Sequence, residues 1–127
     1  METSTTNIIA LPQHQDHFYN GGWQAPLGGR YLDTTSPGTG KVIGQFADGS
    51  AEDVDAAIKA ARAAFDGWAA TPPLERAKLL REISRRIRAN AGELALIDAA
   101  DVGNPVAEMG RDVANAANQF EFFAGLV

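Results

Sequence analysis

Apolar positions along this chain change their period near Gly49 and Ser50. Upstream, short apolar runs sit between Gly, Pro, Asn and Thr, residues that preset or permit turn dihedrals. Downstream, apolar residues recur every three or four positions almost to Val127, the period of one helix face. The pattern predicts an α+β chain, with two β-hairpins over residues 18–49 and about four helices over 51–127.

In the first region, HFYNGGWQ sets Asn20 and Gly21 between aromatic-bearing runs, the composition of a tight turn that needs positive φ. RYLDTTS and KVIGQFA, split by Pro37, Gly38, Thr39 and Gly40, predict the second hairpin. In the second region Ser50 is placed to cap a helix, with Glu52 and Asp53 at the positive end of its dipole. Val54, Ile58, Ala61, Phe65 and Trp68 form the expected buried face of that helix. Thr71 and Pro72 are expected to start the next one, with Leu80, Ile83 and Ile87 inside and Ala91 and Gly92 ending it. A shorter helix runs through Leu94 and Ile97 to about Asp101 and stops at Gly103, and Asn104 and Pro105 open the last. There Val106, Met109, Val113, Ala116, Phe120, Phe123 and Val127 alternate spacings of three and four, and no C-cap glycine is expected to close the pattern. An apolar stripe carried to the final residue calls for a packing partner or more chain.

Composition then narrows the function classes. A chain of 127 residues can bury one core but is small for an enzyme with separate cofactor and substrate sites. Its 16 acidic residues outnumber 11 basic ones, and no lysine or arginine block reverses the sign locally, which argues against nucleic acid as a partner. The absence of cysteine excludes disulfides, thiolate metal sites and a cysteine nucleophile within these residues. Residues 1–17 form an expected flexible tail that lacks a basic n-region, and its run IIALP is too short for a signal core. With no stretch resembling a membrane span, the expectation is a cytoplasmic protein.

One stretch, SPGTGKVIG at residues 36–44, imitates a nucleotide-binding loop. A phosphate cradle must open a helix, whose N-terminal N–H groups complete the anion site, and here a strand is expected instead. Thr35 also stands where the first glycine of the motif belongs, and Val42 where a hydroxyl should meet magnesium. The stretch is therefore a turn.

Other candidates have plainer explanations. His14, Asp16 and His17 have the spacing of metal ligands but lie in the expected tail without a fourth partner. Glu75, Arg76, Arg81, Glu82, Arg85, Arg86 and Arg88 read as the wet face of an amphipathic helix rather than a binding groove. Phe120 and Phe123 are expected in the core, with Phe122 free to reach an interface. Nothing assembles the nucleophile, base and orienting group of a covalent mechanism.

The order of features carries more information than any one of them. NGGW is followed by GGRYLDTTSPGTGKVIGQFADGSAEDVDAAIKAARAAFDGWAATPPLERAKLLREISRRI, then GELALIDAADVGNPVAEM, then the aromatic-ended helix. This sequence closely resembles the amino-terminal segment of the NAD(P)-dependent aldehyde dehydrogenase superfamily over about residues 18–127. SPGTGKVIG resembles the family turn N-P-x-T-G-x-x-I, with Ser36 in place of asparagine and Pro37, Thr39, Gly40 and Ile43 matching. Val54, Ala61, Ala64, Phe65, Trp68, Arg76 and Leu80 match the two helices that pack beside the cofactor-binding sheet. DVGNP resembles D-x-G-K-P, with Asn104 where lysine is common, a departure that leaves the subfamily open.

The resemblance implies that hairpins and helices belong to a Rossmann-like NAD(P)-binding domain, of which residues 18–127 are a truncated amino-terminal part. It implies a family reaction in which a cysteine thiolate adds to an aldehyde, hydride passes to NAD or NADP, and water activated by a glutamate releases the acid. Those groups and the residues that grip the dinucleotide lie in later segments of the family, so none is carried onto this chain, which alone is expected to be inactive. Some members hold a monovalent cation through an early strand and a carboxylate after the third helix; Thr34, Thr35 and Asp101 occupy those places. The implied partners are the remainder of the enzyme or another subunit, met through apolar helix faces, full-length relatives being homo-oligomeric. The alternative is a free-standing helical interaction module derived from such an enzyme.

Overall fold

The computed structural model describes residues 14–127, so the IIALP run and the first thirteen positions of the expected tail lie outside it. The first hairpin pairs β1 (His17–Tyr19) with β2 (Gly22–Gln24), antiparallel. Its turn has Asn20 at φ 52° and Gly21 at φ 74°, the two positive dihedrals that let a two-residue loop follow the twist of its strands. Residues 14–17, grouped with the tail above, make specific contacts. His14 stacks on Trp23 at 4.7 Å, the Ala47 amide donates to the Gln15 carbonyl at 2.9 Å, and the Tyr31 hydroxyl donates to Asp16. They join the first hairpin to the second.

That second hairpin pairs β3 (Tyr31–Thr35) with β4 (Val42–Ala47), with an irregular step between Thr34 and Thr35. The SPGTGK turn closes on itself: Ser36 N–H donates to Lys41 O, and Gly40, at φ 68°, donates to Ser36 O. Its chain runs on into β4, so the turn does not open a helix.

Helix α1 (Ala51–Ala70) begins at a complete capping box. The Asp53 amide donates to Ser50 Oγ at 3.2 Å, while the Asp53 carboxylate accepts from the Ser50 amide at 2.9 Å and from its hydroxyl at 2.8 Å. The other carboxylate oxygen accepts from Leu27 N–H at 3.0 Å, which ties the loop after the first hairpin to the helix start. These amide donors, Leu27 first and Ser50 second, hold the buried Asp53 carboxyl below the usual aspartate range. A depressed folded pKa stabilises the fold above the pKa of the unfolded chain, and that contribution is lost as pH falls through the folded value. Asp53→Asn is therefore expected to lower the urea midpoint at pH 7 and to leave a smaller gap from the parent chain at pH 3. An equal gap at both pH values would show that the carboxylate charge contributes nothing.

The apolar face expected to bury α1 is instead turned outward, and every residue from 61 to 70 is exposed. Its inward face is Asp53 with half-buried Ala56, Ala57 and Ala60. Thr71 closes α1 rather than opening the next helix: its hydroxyl donates to Gly67 O at 3.0 Å, and Arg76 donates back to Thr71 O at 2.7 Å. Helix α2 (Pro73–Ala89) starts from Pro72, whose ring offers no acceptor for a side-chain cap, and Pro73 in its first turn gives up no helical hydrogen bond. Asn90, one residue earlier than expected, ends it, and Ala91 and Gly92 already belong to α3 (Ala91–Val102). Gly103 at φ 80° stops α3, and Pro105, not Asn104, stands at the cap position of α4 (Val106–Ala124).

Helices α2, α3 and α4 pack on one another through small residues. Ala77 and Ser84 are buried on α2 where Leu80, Ile83 and Ile87 are half-buried. Ser84 Oγ donates to the Ala117 carbonyl at 2.8 Å across the α2–α4 contact, a satisfied buried hydroxyl. Ala95, Met109 and Val113 form the central cluster, with Ile87, Ala91 and Ala99 around it. The buried line on α4 is Met109, Val113, Ala117 and Ala124, so the helix has turned away from Ala116, Phe123 and Val127. Gly125 does occupy the C-cap, contrary to expectation, and Phe122 and Phe123 lie exposed edge to face at 5.4 Å, with Phe120 half-buried. Among the described residues no helix is long and apolar enough to cross a membrane.

Candidate functional site

β3 and the end of α3 meet at two of the three residues singled out for a cation. Thr34 Oγ1 donates to Asp101 Oδ1 at 2.7 Å, a contact between positions 67 residues apart. Thr34 is half-buried and Thr35 exposed, at the step where the β3–β4 register shifts. Such an irregularity interrupts the ladder and re-aims backbone groups near it. The pair opens on a cavity of about 300 Å³ between the segment before β1, the second hairpin and α3, walled by Ile43, Phe46 and Ile97 and edged by Asp16, Asp98 and Asp101.

The electrostatics at this spot favour positive charge. Asp101 sits in the last turn of α3, where carbonyls give the negative end of the dipole and no basic side chain compensates. Hydroxyl, carboxylate and carbonyl oxygens are ligands for hard cations. Asp101 is already paired to Thr34 through one oxygen.

Immediately beside it the turn at 36–41 docks on the turn after α3. A Cβ placed on Gly103 would lie 2.7 Å from Pro37 Cγ, so the two turns touch at van der Waals limit. The stretch that resembles a phosphate loop is thereby a strut under the Thr34–Asp101 contact.

The remaining sequence candidates are dispersed. His14, Asp16 and His17 do different jobs, and among the described residues no group of three or more His, Cys, Asp or Glu is arranged to hold a metal. His17 Nε2 is buried without a hydrogen-bond partner, its ring against Gly49. The arginines of α2 are absorbed by pairing: Arg85 and then Arg86 bond Glu82 and push its carboxyl down to about 2, while Arg88 donates to Asn118 and Arg81 faces Glu121 on α4. The cavity walls Phe46 and Ile97 escaped sequence reasoning, since no local spacing links a strand to a helix half the chain away.

Residues 23–127 match the Aldehyde dehydrogenase family. Aldehyde dehydrogenase tropH of Talaromyces stipitatus is 46% identical over 118 residues, covering 93% of this chain and 23% of that protein. Fluoroacetaldehyde dehydrogenase of Streptantibioticus cattleyicolor is 37% identical over 122 residues, 95% of this chain and 24% of that protein. Among solved structures, an NAD-dependent aldehyde dehydrogenase from Sinorhizobium meliloti superposes with a TM-score of 0.88 at 30% identity, covering 98% of this chain and 25% of its own. Betaine aldehyde dehydrogenase from Staphylococcus aureus, in complex with NAD+, superposes with a TM-score of 0.86 at 30% identity, covering 89% and 23%. This chain thus spans about a quarter of the length of the relatives it matches. Its hairpins and helices are the pieces of a fold whose whole includes a Rossmann-like NAD-binding domain. By sequence over nearly its full length and by structure, the chain belongs to the aldehyde dehydrogenase family, as an amino-terminal segment.

Proposed function

We propose that residues 18–127 serve as the amino-terminal part of an enzyme that oxidises an aldehyde to a carboxylic acid with NAD or NADP, and that the catalytic groups are supplied by the rest of that enzyme. The observation that carries this reading is the family match from residue 23 to 127 against only a quarter of each relative. In the family reaction the dinucleotide accepts hydride from a thiolate–aldehyde adduct. This chain has no cysteine to form that adduct, so its own contribution is packing surface and the Thr34–Asp101 corner. There Thr34, Thr35 and Asp101 hold a monovalent cation that offsets the end of α3.

A chimera tests the reading. The matching quarter of the Talaromyces relative is replaced by this chain, and NADH formation with an aldehyde is followed by absorbance. The chimera is expected to turn over while the 127-residue chain alone does not. A folded, inactive chimera, or activity in the pure chain, would overturn the proposal. In the same assay Asp101→Asn is expected to raise the potassium concentration that gives half-maximal activity; an unchanged potassium response reduces Asp101 to a partner for Thr34.

A further inference from the structure

Asn20 and Gly21 form the tip of the first hairpin, and both are exposed. A Cβ placed on Gly21 would meet nothing within 4 Å, so the tip stands clear of the rest of the chain. Among the described residues the Gly21 N–H donates no backbone hydrogen bond. The strands behind the tip are three residues each, and a hairpin of two such strands opens easily in water.

That combination matters because a backbone nitrogen can attack the side chain of a preceding asparagine. Of the chain's asparagines, Asn20 alone precedes glycine, which leaves the nitrogen unhindered by a Cβ. The others are protected in different ways. The Asn90 side chain donates to Arg86 O at 2.8 Å, Asn118 accepts from Arg88 at 2.7 Å, and Asn115 lies inside α4, where the backbone is fixed. Asn104 precedes Pro105, which has no N–H to give up. Asp48 and Asp66 also precede glycine but lack an amide leaving group; Asp48 is ion-paired to Arg30, and Asp66 lies within α1.

We infer that the Asn20–Gly21 bond is a site of spontaneous backbone modification, and that its isoaspartate product releases the first hairpin from its neighbours. Solvent base takes the Gly21 proton, and the nitrogen bonds to Asn20 Cγ, closing a five-membered imide. The Cγ–Nδ2 bond breaks, and Nδ2 leaves as ammonia with a proton from water. A water molecule then opens the ring at either carbonyl. Opening at the backbone carbonyl gives isoaspartate, in which the main chain runs through Cβ and Cγ; opening at Cγ gives ordinary aspartate. No oxidant or cofactor is consumed.

The two products differ in what the turn can bear. Asp-Gly suits the same two-residue turn as Asn-Gly, whereas isoaspartate lengthens the main chain by one carbon and spoils its match to the strands. Phe18 and Trp23 pair directly behind the tip with ring centres 5.0 Å apart, and Trp23 stacks on His14. Gln15 and Asp16, next to that stack, line the cavity beside Thr34 and Asp101. Damage at the tip is thereby passed to the corner that joins the two hairpins.

The test incubates the full chain at pH 6 and pH 8, folded and in guanidinium chloride. Peptide mapping by mass spectrometry is expected to show loss of ammonia at Asn20 in the folded chain, faster at pH 8, with Asn90, Asn104, Asn115 and Asn118 intact. Part of the product should accept a labelled methyl group from an isoaspartyl-specific methyltransferase. Asn20→Gln, which would have to close a larger ring, should abolish both signals. If Asn20 reacts in guanidinium chloride but stays intact in the folded chain, the turn protects it and the inference is overturned; so it is if another asparagine reacts as fast. In a Trp68→Phe background Trp23 is the sole indole, and its emission should shift to the red as isoaspartate accumulates. Asn20→Asp, carrying the new charge without the extra carbon, should leave that emission unchanged. An unshifted aged chain, or an equal shift in fresh Asn20→Asp, would overturn the release of the hairpin.

Discussion

Replacing Gly103 by alanine is expected to lower the stability of the chain by about 2–5 kcal/mol, an estimate that adds left-handed strain to overpacking. Gly103 ends α3 at φ 80°, a dihedral that costs any residue with a Cβ about 1–2 kcal/mol. The added carbon would also lie 2.7 Å from Pro37 Cγ, so the ring or one of the two turns must move. On thermal melting the loss corresponds to roughly 10 °C for a domain of this size. The two causes separate in a cycle with Pro37→Gly. If the ring contact matters, Gly103→Ala costs less in the Pro37→Gly background than in the parent, and the left-handed term is what remains. A Gly103→Ala chain that melts within a degree or two of the parent would mean that neither the dihedral nor the contact constrains this corner. The variant should also disturb Thr34 and Asp101, since Asp101 lies in the last turn that Gly103 terminates.

Features set by neighbouring residues were legible in the sequence. Asn20 and Gly21 adopt the positive φ values that an Asn-Gly pair announces, Ser50 caps α1, and Gly103 ends α3, because each property depends on a few consecutive residues. What failed was the step from period to burial. The stripe on α1 is regular and large, but regularity only says that a face is apolar, not that anything in this chain covers it. Thr71 misled for a related reason: a hydroxyl before Pro72 and Pro73 can serve either helix, and the carbonyl of Gly67 took it. At the α2–α4 contact small residues permit the closest approach, so Ala77, Ser84 and Ala117 are more buried than neighbouring leucine and isoleucine. Composition rules rank leucine and isoleucine inside and give no weight to that geometry.

The candidate site was legible by resemblance and not by spacing. Thr34 and Asp101 do meet, but nothing local connects positions 67 apart. The carboxylates that edge the cavity come from the segment before β1 and from α3, and its apolar walls from β4 and α3. Only the folded chain brings these together, and the docking of the SPGTGK turn on Gly103 helps to hold them there.

Met109→Ala is expected to cost about 2–5 kcal/mol, the range for emptying a large buried aliphatic position. The site is unusually sensitive because so little else is buried. Alanines dominate the interior, and the central cluster of the helices is Ala95, Met109 and Val113. Met109 is therefore the largest of the buried side chains at that junction, and α3 has few other buried groups through which to hold α4. A domain with a total stability of about 5–15 kcal/mol would lose a large part of it, so the urea midpoint should fall steeply. Met109→Leu, which conserves most of the volume, should cost less than about 1.5 kcal/mol. Phe123→Ala supplies the contrast: the ring is larger and belongs to the apolar period of α4, but it is 52% exposed and should matter little in the isolated chain. If Phe123→Ala were the more damaging of the two, the core would follow the sequence period to the end of α4 and not the Met109, Val113 and Ala117 line. The ordering of these variants thus reports directly on which face of α4 the chain itself fills.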